Sequence, residues 1–271
     1  MDFEKELETA LDAVQQAGSI ILDHYARFAK IPDARADIST QADRDSQEAI
    51  LGFIRQTFPN DSLCAEENTP TLEAAPGNSP RLWIVDPIDG TRGFARKNGE
   101  FSVMVAFLVD KQIQLGVVLE PVTGRLTYAA KGQGSWRRDN GASAPVACRV
   151  RSTDHLADAI LTQSHSRTPS RQSSLVEALG PKQVMETYSA GIKLAQVARG
   201  EADLYLNTYL NFQDWDACAG QILVEEAGGT VSGLHGEPIL YGIGQASQRE
   251  GFLASNGLVH QQALDIVAQV F

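Results

Sequence analysis

Cysteine is scarce in this chain, with Cys64, Cys148 and Cys218 the only three among 271 residues. They are far apart and odd in number, and none belongs to a CxxC or Cys/His cluster. Neither a disulfide framework nor a structural zinc site is suggested on that ground, and a reducing cytoplasm is the expected setting. Basic residues are in deficit: 23 Lys and Arg against 34 Asp and Glu give a formal net charge of -11, and the sequence pI is about 4.9. A nucleic-acid polymer is therefore not an expected partner, since a phosphate backbone calls for a basic face. A small anionic substrate remains compatible, because bound divalent cations reverse the local sign of an acidic site. Long apolar runs are missing too. The longest clean one covers residues 103–109, far short of a bilayer span. The acidic, helix-patterned start MDFEKELETALDAVQQAG is unlike a secretory signal, so no membrane association is expected.

Several catalytic signatures are also missing. There is no Gly-x-Ser-x-Gly elbow and no Walker A motif, and Gly132-x-Gly134 and Gly242-x-Gly244 lack the third glycine of a dinucleotide fingerprint. The histidines, His24, His155, His165, His235 and His260, form no ligand spacing and read as surface or structural groups. Cys64 reads as an inert thiol, and Trp83, Trp136 and Trp215 as packing residues.

What is present is an ordinary globular composition, 43% hydrophobic, enough for one large core or two smaller ones. Phe3, Leu7, Leu11, Val14, Ile21, Leu22 and Tyr25 recur near a 3.6 period and predict one long amphipathic helix; a second is expected over residues 42–58. Leu82, Ile84 and Val85 predict a short strand ending on Asp86. Residues 102–109, 114–120 and 126–130 then read as an antiparallel meander. Beyond about Val150 the texture changes. Strands at 159–163, 184–187, 202–206 and 251–255 alternate with helices at 189–199, 216–227 and 258–270. Residues 68–81, with three prolines, read as a loop beside the acidic segments.

The informative segment is WIVDPIDGT, residues 83–91. A strand delivers Asp86, Pro87 turns the chain, and Asp89 can point back toward Asp86. Gly90 and Thr91 open a helix, whose free N–H groups suit an anionic oxygen. Two carboxylates and an anion-binding turn make a compact place for hard cations and phosphate. The plainer alternative is an Asp-Pro turn followed by a capped helix. Glu66–Glu67, Thr40…Asp43 and Trp215–Asp216 each carry a similar ambiguity: a solvated pair, a capping box and an acid at a helix N-terminus.

Together these segments resemble the inositol monophosphatase superfamily of metal-dependent, lithium-sensitive phosphatases. Its pattern is an acid pair, then DP(I/L)DGT, then WD before a helix ending in AGG. Here these are Glu66–Glu67, residues 86–91 and residues 215–229, with the upstream T-x-x-D at Thr40 and Asp43. The resemblance implies an α+β / α/β fold, a layered α-β-α-β-α sandwich. Residues 1–150 would be an N-terminal α+β domain with an antiparallel sheet and most metal ligands. Residues 151–271 would be a C-terminal α/β domain contributing Asp216 and substrate contacts.

The same resemblance implies a Mg2+-dependent phosphomonoesterase holding two or three ions. Glu66, Asp86 and the carbonyl of Ile88 would hold the first, Asp86, Asp89 and Asp216 the second, and Glu66 with waters a third. Asp43 and Thr91 would orient and deprotonate the attacking water. Gly90 and Thr91 would cradle the phosphate, with Ser189, Gly191 and Lys193 as a second substrate-contact segment. Lys193 could equally be a solvated helix lysine. A homodimer accords with the habits of the superfamily. Residues 86–103, DPIDGTRGFARKNGEFSV, look most like the 3'(2'),5'-bisphosphate nucleotidases, with Arg92, Arg96, Lys97 and NGEF. The expected substrate is 3'-phosphoadenosine 5'-phosphate, cleaved to AMP and phosphate. The alternatives are an inositol or sugar phosphate, or a non-catalytic metal- and phosphate-binding homologue. The loop at 207–214 matches neither subfamily.

Overall fold

The structure is a computed structural model describing residues 3–35, 38–165, 174–209, 212–242, 248 and 251–270. In chain order the first part runs α1 (Glu4–Arg27), α2 (Gln41–Thr57), β1 (Ser62–Ala65), α3 (Pro70–Glu73), β2 (Arg81–Asp89) and α4 (Thr91–Arg96). It continues with β3 (Ser102–Val109), β4 (Gln112–Glu120), β5 (Arg125–Ala130), β6 (Ser135–Arg138) and β7 (Val146–Ala147). The second part runs β8 (Ile160–Gln163), α5 (Ser174–Leu179), β9 (Gln183–Glu186), α6 (Ala190–Ala198) and β10 (Leu204–Asn207). It ends with α7 (Asp214–Glu226), β11 (Thr230–Gly233), β12 (Phe252–Ser255) and α8 (His260–Val270).

The first sheet has seven strands in sequence order. β1 is parallel to β2, and every later pair is antiparallel. Strand alternation sorts its side chains onto two faces. Trp83, Val85, Val103, Val105 and Phe107 pack with Ala10, Ala13, Val14 and Ala17 of α1 and with Ile50, Leu51 and Ile54 of α2. Ile84, Met104, Ala106 and Leu108 face the other way, onto Leu194 and Val197 of α6 and Ile222 and Leu223 of α7. Those two helices also cover one face of the second sheet through Tyr205, Phe252 and Ala254. That sheet has the order β11-β12-β10-β8-β9. Its far face, with Leu161, Leu204 and Leu253, packs on Leu175 and Leu179 of α5 and Ala263 and Val267 of α8. The architecture is the five-layered α-β-α-β-α sandwich expected.

Three local expectations need correction. β2 does not end at Asp86; it continues through Pro87 to Asp89 with a break in register. Asp86 pairs with Met104 and Asp89 with Ser102, so β2 carries one residue more than β3 over this stretch, which is a β-bulge. Pro87, which has no N–H to give the ladder, sits inside it. Residues three apart on a regular strand face opposite sides, but Met104 and Ser102 share a face, and the extra residue therefore puts Asp86 and Asp89 on that same face, toward α6 and α7. The stretch 68–81 contains α3, begun by Pro70, whose fixed φ suits a first helical turn. Helix α7 starts at Asp214 rather than Asp216, about half a turn earlier.

Candidate active site

The bulge, the loop after β1 and the start of α7 meet at a cavity of about 750 Å³. Asp86 and Asp89 come from β2 and Asp216 from the first turn of α7, each offering an oxygen within 4.8 Å of the others. Asp43, Glu66 and Glu67 form a second group with the same spacing. The expected ligand set thus falls into two adjoining clusters. Glu66 stands with Asp43 and Glu67, and Glu67 joins a cluster from which sequence reasoning had left it out. The loop bearing the acid pair is pinned to α2, because Gln47 Nε2 donates to Glu67 O at 2.5 Å and Gln47 Oε1 accepts from Glu67 N at 2.8 Å.

Asp43 caps α2 and also meets Thr91. Its Oδ2 accepts from Thr40 N at 2.8 Å and Thr40 Oγ1 at 2.6 Å, closing a capping box on α2. Its Oδ1 accepts from Thr91 Oγ1 at 3.1 Å. The Thr91 hydroxyl also lies 2.9 Å from Ile88 O. Gly90 precedes Thr91 with φ of 88°, a left-handed conformation that favours glycine. A Cβ there would lie 2.8 Å from Glu100 O.

The electrostatics of the site are those of crowded acids. Burial and then the neighbouring carboxylates Glu66, Asp89, Asp216 and Asp43 push Asp86 well above the ordinary range. Burial, then Asp43, Asp216, Glu67 and Asp89, push Glu66 up to about 8. Burial raises Asp216 to about 7, opposed by the Gln213 N–H and Lys193 and reinforced by Asp89. Burial also raises Asp43, against hydrogen bonds from Thr40 and Thr91. Asp86 Oδ1 is buried with no hydrogen-bond partner among the described residues. A buried, unpaired acceptor facing other carboxylates is costly in an apo protein and is what a hard divalent cation would satisfy. The donor set, all oxygen, fits magnesium or calcium better than zinc or copper.

The remaining expected contacts divide. Lys193 is not a solvated helix lysine. It is buried and lines the cavity, donating to Ser164 Oγ at 2.9 Å and to the carbonyls of Thr187 and Tyr188 at 3.1 and 3.4 Å. Burial lowers it to about 8, with Asp89, Asp216 and Glu100 opposing. Ser189 and Gly191 are turned onto Asp89 instead: both donate to its Oδ2. Lys97 leaves the site altogether, bonding Tyr25 O. Arg92 lines the cavity beside Tyr188, whose ring lies 5.3 Å from the guanidinium carbon, and Arg92 Nε is buried without a partner among the described residues. His165, read from sequence as structural, also borders the cavity. It meets Glu100 at 2.6 Å and packs on Tyr188 with ring centroids 4.4 Å apart and the rings tilted by 41°. No spacing rule in the sequence pairs His165 with Tyr188. The 207–214 loop contributes Asn207, Tyr209 and Phe212 to the lining; Leu210 and Asn211, like Gly244, lie outside the described residues.

A model of the inositol monophosphatase family matches residues 2–270. The chain belongs to the inositol monophosphatase family. It is a phosphatase by that membership, and the family is metal-dependent. The chain is 29% identical over 270 residues to a fructose-1,6-bisphosphatase/inositol-1-monophosphatase of Thermotoga maritima, covering 97% of this chain and 96% of that protein. It is 30% identical over 253 residues to the 3'(2'),5'-bisphosphate nucleotidase CysQ of Salmonella typhimurium, covering 91% and 96%. Among solved structures, a Thermotoga maritima inositol monophosphatase superposes with a TM-score of 0.81 at 28% identity, covering 100% of this chain and 98% of that one. Among the described residues no helix is long and apolar enough to cross a membrane.

Proposed function

We propose that this chain is a Mg2+-dependent phosphomonoesterase acting on a small phosphorylated metabolite, with 3'-phosphoadenosine 5'-phosphate as the preferred substrate. The observation that carries the chemistry is the orphaned Asp86 Oδ1 among carboxylates that face one cavity from β2, α7 and the Glu66 loop. Glu66, Asp86 and the Ile88 carbonyl would hold one ion, and Asp86, Asp89 and Asp216 another. Bound magnesium supplies charge neutralisation for the phosphate and an acidified water.

The protein's own part is to place the phosphate and move a proton. Backbone N–H groups of Gly90 and Thr91 face the phosphate. Thr91 accepts a proton from the attacking water as it gives its own to Asp43 Oδ1. Asp43 suits this task because its Oδ2 is fixed by Thr40, leaving Oδ1 as the open acceptor. Burial raises its proton affinity toward the useful range.

The preference for a bisphosphate rests on Arg92, whose Nε has no partner among the described residues and whose guanidinium is held over Tyr188. A charge-assisted hydrogen bond from such a group is worth about 1.5–3 kcal/mol, or roughly one to two powers of ten in selectivity. One observation favours the second reading, an inositol or sugar monophosphate. Lys193 already donates to Ser164, Thr187 and Tyr188, which leaves it little to offer a second phosphate. The experiment is phosphate release with each substrate in magnesium and in chelator, repeated in Arg92→Ala. Activity should vanish in chelator, and kcat/KM should favour the bisphosphate by an amount that Arg92→Ala erodes. Full activity in chelator refutes the metal assignment, and a preference for inositol 1-phosphate refutes the substrate.

A further inference from the structure

Asp89 is held by more than a metal ligand requires. Its Oδ2 accepts from Gly191 N at 2.7 Å, from Ser102 Oγ at 3.1 Å and from Ser189 Oγ, while among the described residues Oδ1 accepts only from Ala190 N at 3.0 Å. The donors come from β3 and from the first turn of α6, so the carboxylate is a joint between the sheet and that helix. Ser102 Oγ lies 2.9 Å from Ser189 Oγ, and Ser189 Oγ itself accepts from Ile192 N at 2.9 Å.

A proton inventory limits the possibilities. The Ser189 oxygen is engaged by the Ile192 N–H, so its single proton is free to go to Asp89 Oδ2. The single Ser102 proton goes to Oδ2 or to the Ser189 oxygen. In either arrangement the Ser102 hydroxyl fixes how Oδ2 is filled. Ser102 and Ser189 are both 0% exposed, so bulk water cannot stand in for a missing hydroxyl. The α6 backbone comes this close because residue 191 is glycine: a Cβ there would lie 2.6 Å from Ser102 Oγ and 2.8 Å from Met104 Sδ.

We infer that Ser102, with Ser189, is a positioning residue that consumes Asp89 Oδ2 and leaves Oδ1 as the single oxygen this carboxylate presents to a cation. Ser102 does not line the cavity and acts through Asp89. The inference rests on the proposed role of Asp89 as a ligand, and it goes beyond that role by assigning the oxygen and the residue that selects it. Groups that orient a metal-binding side chain typically contribute 10–100-fold in metal affinity.

The test is calorimetric titration of the full chain with Mg2+ alone, without substrate, alongside thermal unfolding in chelator. In Ser102→Ala one magnesium site should weaken by about 10–100-fold, with little change in the metal-free melting temperature. Asp89→Asn is the control and should weaken the same site at least as much. If Asp89→Asn weakens the site and Ser102→Ala does not, the inference is overturned while the metal reading stands. If Asp89→Asn binds like the parent, the ligand role itself falls, and the inference with it. A lower metal-free melting temperature in Ser102→Ala with an unchanged isotherm makes the hydroxyl a packing group only, which also overturns it. Should Ser102→Ala not fold, Ser189→Ala removes the other hydroxyl proton and is judged by the same isotherm.

Discussion

Removing divalent cations with a chelator leaves the carboxylates of the site facing one another without a counter-charge, and the consequence depends on pH in a definite direction. The folded chain holds a proton on Asp216 up to about 7, against an ordinary 3.8, and on Glu66 up to about 8, against 4.5. The unfolded chain has released both by about pH 5. The folded state therefore binds more protons across this window, and stability falls as pH rises through it. For Asp216 the part of the difference that falls between about pH 5 and 7, at about 1.4 kcal/mol per pH unit, is about 3 kcal/mol. Glu66 adds less than its displacement suggests, because it opens onto cavity water that screens it. Buried His260, lowered by burial, pulls the other way over the same range. It is remote from the cluster, between Ser232 and Ser255, so it cancels when chelated and magnesium-loaded samples are compared. At about 2–4 °C per kcal/mol, the gap in Tm between the two samples should open by roughly 10 °C between about pH 5 and 8. Magnesium at a hundredfold excess over its dissociation constant would itself supply about 2.7 kcal/mol. The assay is differential scanning fluorimetry in chelator and in excess magnesium across that range. A gap that stays constant or closes with rising pH would refute the argument.

Two further outcomes follow from the same geometry. Asp43→Asn should lower kcat by about 10²–10⁴ and also cost about 1 kcal/mol of stability through the lost capping box. Thr91→Ala should lower kcat without that capping loss, and steady-state kinetics with chemical denaturation separates the two; a normal kcat in Asp43→Asn would leave it as a cap alone. Lithium at millimolar concentrations should inhibit turnover, since a monovalent ion seated at Asp86, Asp89 and Asp216 brings half the charge; inhibition that magnesium cannot influence would place the lithium elsewhere.

Much of this architecture was legible from local pattern. The apolar stripe of α1, the β3–β5 meander and the strand–helix alternation after Val150 all rest on contacts close in sequence, where periodicity is informative. Short and exposed strands were not legible: β7 is two exposed residues, and β1 is the four residues SLCA, too brief to show a period. The bulge could not be read either. A proline after Asp86 suggests a strand end, and only pairing with β3 reveals that the ladder resumes at Asp89. The approach of Asp216 to Asp86 spans 130 positions, from 86 to 216, and no spacing rule reaches that far; family resemblance supplied it. The Asp89–Ser102–Ser189 joint escaped notice because serine carries no chemical signature in sequence until a partner is placed beside it.

The double engagement of Asp43 has a dynamic consequence. Helix ends are where local opening begins, at free energies far below that of global unfolding. When the first turn of α2 frays, the Thr40 bonds to Asp43 Oδ2 open and the acceptor facing Thr91 loses its fixed direction. On the proposed role of Asp43 as proton acceptor, catalytic competence would be tied to one of the softer parts of a helix rather than to the rigid sheet beneath it. Turnover would then decline with temperature ahead of the main unfolding transition, and hydrogen exchange at the amides of Thr40 and Ala42 would track that decline residue by residue.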